Sequence, residues 1–343
     1  MINKKSISVG GQPSNSSIAE KIFILFYKYG TLLAIVLALL FFSTQSKYFL
    51  TSQNMGDVIR SVCVVTLMAI GVTFSATTGG FDISVGSITG FATVLSAAMM
   101  VWWDMPLFLV ILVPMIMGIA IGLWNALLIE KFKIPDILAT MASMFIFEGV
   151  LITFTKGYSI FTNMTMQNGE KAPGKFNETF IAIGQGDILG IPNPVIIVVV
   201  LIIICHIFLN YTKYGRLLYM TGGNKEAARL SGVSVIKYRV LSYALSGLFA
   251  ALGGVLLAAR IGSGEVNAGA SLLMDAIAAS YIGYSVLGQG KPNMIGTFAG
   301  AVLMGILLNG LTMMNVPYYE QGIIKGAVLV LALTMTYATK KKA

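Results

Sequence analysis

The sequence predicts an all-α, polytopic membrane protein of about ten transmembrane helices. Three observations carry that expectation. Of 343 residues, 56% are hydrophobic and only 11% charged, whereas soluble domains carry about 25% charged residues. Apolar runs of about 20 residues recur along the whole chain, each long enough to cross a hydrocarbon core of roughly 30 Å. Strand-type alternation is absent, and a span without water must satisfy its own backbone, so the spans are helices.

The ten expected spans are 22–42, 58–78, 83–102, 106–129, 134–155, 193–212, 240–260, 272–287, 293–313 and 320–338. An even count puts both ends on one side. Cytoplasmic ends bring Lys4, Lys5, Lys21, Lys28, the Lys131/Lys133 loop, segment 213–239, Lys291 and the lysines at 340–342 inside. That is most of the 23 basic residues, as the positive-inside bias requires. The net charge of +9 then records orientation and does not argue for nucleic acid. One transmembrane unit, 22–338, separates a tail, 1–21, rich in Ser, Asn and Gly and expected to be disordered, from a basic tail, 339–343. No small-residue cleavage site marks the first span, which is read as a retained helix. Cys63 and Cys205 sit in apolar spans and read as small hydrophobes. Trp102 and Trp103 read as interfacial anchors.

Two connections stand out. The loop 156–192 is placed outside, is too short for a domain, and is expected to hold a short interfacial helix. The segment 213–239 is polar and basic inside an otherwise apolar chain. Gly222-Gly223 breaks it, Asn224 suits an N-cap, Lys225 to Ser231 suit two helical turns, and Gly232 suits a left-handed end. So short a helix is marginal alone and forms when packed against something. Ala227 and Ala228 leave a close-approach surface, and Glu226 and Arg229 can pair polar groups at its rim. The residues alone allow an ordinary surface helix or a knob that enters a cleft of a cytoplasmic partner.

Polar residues inside the spans are the remaining candidates. Asp82 and Ser84 follow two glycines at the break near 77–84, and read as helix caps and a hinge beside a polar path. Asn125 and Asn309 occupy matched places in a faint echo, from Gly122 to Pro135 and from Leu308 to Pro317. The two stretches cross in opposite senses, as an inverted repeat of spans 2–5 against 7–10 would give. Each asparagine suits a helix contact or a path lining. Glu148 and Lys325 are intramembrane and ionisable, so they are expected to face protein and are candidates to pair. His206, the single histidine, reads as structural. Gly118, Gly122, Gly296, Gly300 and Gly305 read as close helix packing.

Several function classes are excluded or weak. There is no GxxxxGK[ST] run to cradle a nucleotide phosphate. No His/Cys/Asp/Glu group has metal-ligand spacing, and no serine has an evident base, so an enzyme is disfavoured. An ion- or proton-coupled secondary transporter is the alternative, with Asp82, Glu148, Asp275 and Lys325 as its scattered titratable groups.

Three ordered motifs resemble a known family. GGNKEAARLSGV at 222–233 resembles the cytoplasmic coupling segment of sugar-importing ATP-binding-cassette permeases of the ribose and galactose type. TTGGFDISVGSITG at 77–90 resembles the family's TGGxDLSVGS pattern, with Ile83 in the usual Leu place. The stretch 274–307 is similar to its DAIAA…GTxxGAxxxG run. With the span count, the resemblance covers nearly the whole chain. Tyr284 and Gln289 depart from the pattern and bear on which sugar is taken.

The resemblance implies a permease subunit of the bacterial cytoplasmic membrane that is not an enzyme and binds no cofactor. ATP would be used by a separate cassette subunit gripping Gly222, Gly223, Asn224, Glu226, Ala227, Ala228, Arg229 and Gly232. An extracytoplasmic sugar-binding protein would dock outside, with Arg60, Lys156 and Arg260 as candidates unless they are plain interfacial anchors. A second copy or a paralogue would complete the pathway, with Asp82, Ser84, Asn125 and Asn309 as pathway or gate candidates. Lipid is the remaining partner, and nucleic acid is not expected.

Overall fold

The computed structural model describes residues 18–166, 169–284, 286 and 290–340. Lys4, Lys5, Gln289, Lys341, Lys342 and the expected disorder before residue 18 lie outside the described residues, whereas Lys340 ends the last helix. The helices are α1 (Ile18–Gln45), α2 (Ser52–Thr77), α3 (Val85–Val101), α4 (Leu107–Glu130), α5 (Asp136–Thr155), α6 (Glu178–Gln185), α7 (Asn193–Tyr211), α8 (Lys213–Gly223), α9 (Lys225–Leu230), α10 (Val235–Ile261), α11 (Ala268–Ile282), α12 (Met294–Met313) and α13 (Tyr318–Lys340).

Each of the ten expected spans is helical, with shifted ends. α1 begins at Ile18, so residues 18–21 belong to the helix and not to the tail. α2 begins at Ser52, capped by Thr51, which puts Arg60 in its third turn. α10 begins at Val235. Prolines mark several starts: Pro106 precedes α4, Pro135 precedes α5, and Pro194 is in the first turn of α7. Proline lacks the N–H that a first turn leaves unbonded anyway.

Six helices, α2, α4, α5, α7, α10 and α12, are long and apolar enough to cross a membrane. α3, α11 and the segment Tyr29–Gln45 of α1 are apolar but shorter. α2, α10 and α12 are largely enclosed, whereas α4, α5 and α7 bury only a stripe. α2 packs on α10, α11 and α12, and α10 packs on α2, α3 and α4. The short helices α3 and α11 meet at the centre, where Gly269 lies against the backbone of Gly86 and Gly90.

The glycines expected to permit close packing do so. Gly118 and Gly247 face each other across α4 and α10 so tightly that neither admits a Cβ. Gly300 lies on the backbone of Ala279, and Gly305 lies on Val62.

The connections gather at two ends. One end holds the 78–84 turn, the 131–135 turn, α8, α9 and the 290–293 turn. The other holds 156–192, with α6 as its short helix. It also holds the two-residue strands β1 (Ile160–Phe161), β2 (Asp187–Ile188) and β3 (Ile191–Pro192), with β1 paired to β4 (Ser263–Gly264). α6 is capped by Asn177 and seated by Phe180, which is fully buried.

Candidate functional site

The segment after α7 is more helical than expected. Thr212 caps α8 by accepting from the Gly215 N–H at 3.2 Å. Gly222 and Gly223 do not break the chain; they form the last turn of α8. Leu218 is fully buried, Gly215 presses on the Phe208 and Leu209 carbonyls, and Gly222 presses on Thr77, at the end of α2. No side chain fits at those two glycines. The Tyr219 hydroxyl donates to the Pro292 carbonyl at 2.7 Å, and Lys291 Nζ stands 4.7 Å from its ring centre. Burial pushes the Tyr219 phenol up to about 12, so it stays a donor at any physiological pH.

α9 is six residues long. Asn224 Oδ1 accepts from the Ala227 N–H at 3.0 Å. Gly232 has φ +79°, and Val233 N–H donates to the Ala228 carbonyl, closing the helix. Glu226 and Arg229 pair with each other at 2.9 Å and are both exposed. Ala228 corrects an expectation. It is fully buried against its own chain, so it offers no surface to a partner. The outward face is Glu226, Ala227, Arg229 and Leu230, and Leu230 is 82% exposed. The leucine was missed, although Ala228 and Leu230 lie about 200° apart on a helix and cannot both face inward.

A buried polar seam runs from α8 and α9 into the protein. Thr78 Oγ1 and Ser242 Oγ are 2.9 Å apart. Asp82 is fully buried; its Oδ1 accepts from the Ser84 N–H and hydroxyl at 3.0 and 2.6 Å, and its Oδ2 accepts from Ser246 at 2.7 Å. Asn125 Nδ2 donates to Ser84 Oγ at 2.8 Å. Asp82, Ser84 and Asn125 are thus one cluster. The Ser84 side chain does not cap α3, because its hydroxyl is turned to Asp82.

Beside that cluster, Arg239 lies between two carboxylates. Its Nη2 donates to Asp136 at 2.6 and 2.7 Å, and its Nε is 2.7 Å from Glu130 Oε1. The Tyr243 hydroxyl also donates to Asp136, at 2.7 Å. Gly80 packs on Tyr243 and Asp136, and Lys225 of α9 lines the same cavity as Glu130, Asp136 and Arg239. Arg239, Ser242, Tyr243 and Ser246 form one stripe of α10, at i, i+3, i+4 and i+7.

Other candidates fall elsewhere. Asn309 exchanges two hydrogen bonds with Asn54, at 2.9 and 3.0 Å, at the opposite end from Asn125. Arg60 and Arg260 both meet Gln185, through Arg60 Nη2 to the Gln185 carbonyl and Gln185 Nε2 to the Arg260 carbonyl. Lys156 stands apart from them, in the left-handed C-cap of α5 beside Trp102 and Phe154. Lys325 does not pair with Glu148: its Nζ is 2.9 Å from Asp275 Oδ2, and Glu148 is half-buried on α5. His206 takes a local bond with Asn210 at 3.2 Å.

The sequence profile of a family described as the permease component of the branched-chain amino acid transport system matches residues 54–333. The chain belongs to that family. It is a permease subunit, a multi-pass membrane protein and a transport component instead of an enzyme. It is 35% identical to the ribose import permease protein RbsC of Bacillus subtilis, over 90% of this chain and 92% of the relative. Identity is 33% to RbsC of Escherichia coli K12, covering 88% and 91%. It is 30% to the xylose transport system permease protein XylH of the same strain, covering 97% and 96%. No solved structure matches the chain.

Proposed function

We propose that this permease forms the membrane pathway of an ATP-driven importer for a pentose or closely similar monosaccharide. The two relatives named for ribose and xylose support the substrate class. The chain crosses a bacterial inner membrane ten times with both termini inside. It works with a second copy or a paralogue, a cassette ATPase and an outer sugar-binding protein. The gathering of basic turns with α8 and α9 at one end supports that orientation.

An inverted repeat of spans 2–5 and 7–10 is supported by the packing. α2 on α10, α11 and α12 mirrors α10 on α2, α3 and α4, and Asn125 and Asn309 stand at opposite ends.

One observation carries the coupling role. Gly222, at the end of α8, lies on the backbone of Thr77 and Gly79, at the turn that bears Asp82. α9 therefore presents its outer face to the cytoplasm while its base rests on the seam between α2, α3 and α10. A partner that moves α9 moves that seam. The test is co-expression with a cassette ATPase and site-directed cross-linking from Leu230→Cys. Cross-links to the ATPase, with ribose or xylose uptake that requires it, are expected. Cross-links to nothing, or sugar uptake without the ATPase, would refute the assignment.

A further inference from the structure

Away from the coupling end, α11 and α13 enclose a cleft of about 560 Å³, within the range of ligand sites. Its walls include Ser271, Tyr318, Gln321, Gly322, Lys325 and Gly326. Asp275 and Lys325 each lie seven residues past the start of their helix, about 10 Å along it at 1.5 Å per residue. α13 starts at the end that holds Asn54 and Asn309, whereas α11 starts deeper, where Gly269 lies on the backbone of Gly86 and Gly90. Lys325 Nζ reaches Asp275 Oδ2 at 2.9 Å, yet Asp275 Oδ1 has no hydrogen-bond donor among the described residues, although Asp275 is 1% exposed.

Half of a buried carboxylate left unbonded is costly, and an ion pair at this depth is found where protein or water faces it, not lipid. The face of α13 beside it is open. A Cβ at Gly322 or Gly326 would meet nothing within 4 Å, so these residues make room instead of packing a neighbour. Tyr318, 86% exposed, stands at the mouth on the same stripe.

We propose that this cleft is an entry subsite for a polyhydroxylated solute. The assignment rests on the importer reading and adds where the solute first meets the permease. Lys325 offers a donor and Ser271 a hydroxyl in the cleft wall, Asp275 fixes the Lys325 ammonium, and a diol offers the matching acceptor and donor. Gln321 spends its amide on Thr312 and Val316 and holds the start of α13 in place. Tyr318 gives the aromatic face on which the C–H side of a sugar ring rests. Contacts of this kind hold a solute weakly, as a passage requires.

Two variants test the assignment in the full importer in membrane vesicles. Gly326→Cys is treated from outside with a charged, membrane-impermeant thiol reagent; the native Cys63 and Cys205 are buried. Labelling that is slowed at least threefold by millimolar ribose or xylose is expected. No labelling means the cleft faces lipid or is covered by a second copy, and labelling untouched by either sugar means it is a mere water pocket. Either result overturns the subsite.

A Cβ at residue 326 meets nothing within 4 Å, and Gly326 lines the cleft, so Gly326→Trp puts its bulk into the cleft. Sugar uptake is expected to fall at least tenfold, with unchanged membrane level and ATP hydrolysis. Uptake equal to that of the unmodified importer removes the subsite and leaves the importer reading standing. Failure of the unmodified assembly to move either sugar removes both.

Discussion

At the scale of single residues, Arg239 decides most. It is 4% exposed and held by Asp136 and Glu130. Removing one partner of a buried ion pair costs about 3–5 kcal/mol, chiefly because the other charge stays buried. Asp136→Ala is therefore expected to lower the unfolding temperature of the detergent-solubilised protein, and Arg239→Asp with Asp136→Arg to recover part of the loss. A melting curve of each variant checks this. Asp82→Ala leaves the Ser84 and Ser246 hydroxyls without their acceptor, at about 1–3 kcal/mol, and the same assay reads it.

Residue chemistry was only partly legible. Asp82 drew notice as a carboxylate beside a break. The Arg239, Ser242, Tyr243 and Ser246 stripe did not, because the expected start of the span fell at 240 and cut the stripe in two. Lys325 was legible as a residue that must face protein. Its partner Asp275 is 50 positions away, and nothing local in either stretch points to the other.

At the scale of elements, α9 shows what pattern reading reaches. Its cap at Asn224 and its left-handed end at Gly232 follow from local backbone chemistry and are both in place. The side that faces inward depends on what α8 packs against, and the sequence does not contain that. A Gly232→Ala substitution forces a Cβ into φ +79°, costing about 1–2 kcal/mol. It is expected to loosen α9 with no loss of membrane insertion, seen as faster proteolysis near 225–234. Leu230→Asp is expected to leave folding alone and cut sugar uptake at least tenfold in the assembled importer, because the residue touches only what comes from outside. Ala228→Trp is a folding variant: its expected effect is a lower membrane level.

At the scale of the whole molecule, the helices were legible because apolar length is a local property, and lipid leaves a span no alternative; six of them are long and apolar enough to cross a membrane. The arrangement was less so. Which helices are central follows from close approach, and glycine permits that without specifying the partner. The sequence marks Gly118 as a packing residue, but only the structure pairs it with Gly247. Gly247→Leu is expected to pry α4 from α10 and sharply reduce the amount of inserted protein, as measured by quantitative blotting of membranes, whereas Gly149→Leu, with nothing within 4 Å of its Cβ, is expected to be tolerated.

α8 is held at two places that belong to different halves of the chain. Gly222 rests on the backbone that ends α2, and the Tyr219 hydroxyl holds Pro292 just before α12. In the proposed importer, a push on this short rod would reach both halves together, so neither would complete its swing while the other lags. Cutting one tether, as Tyr219→Phe does, should let the halves fall out of step. The cell would then see slippage: more nucleotide spent for every molecule carried in, with the rate of spending itself unaltered.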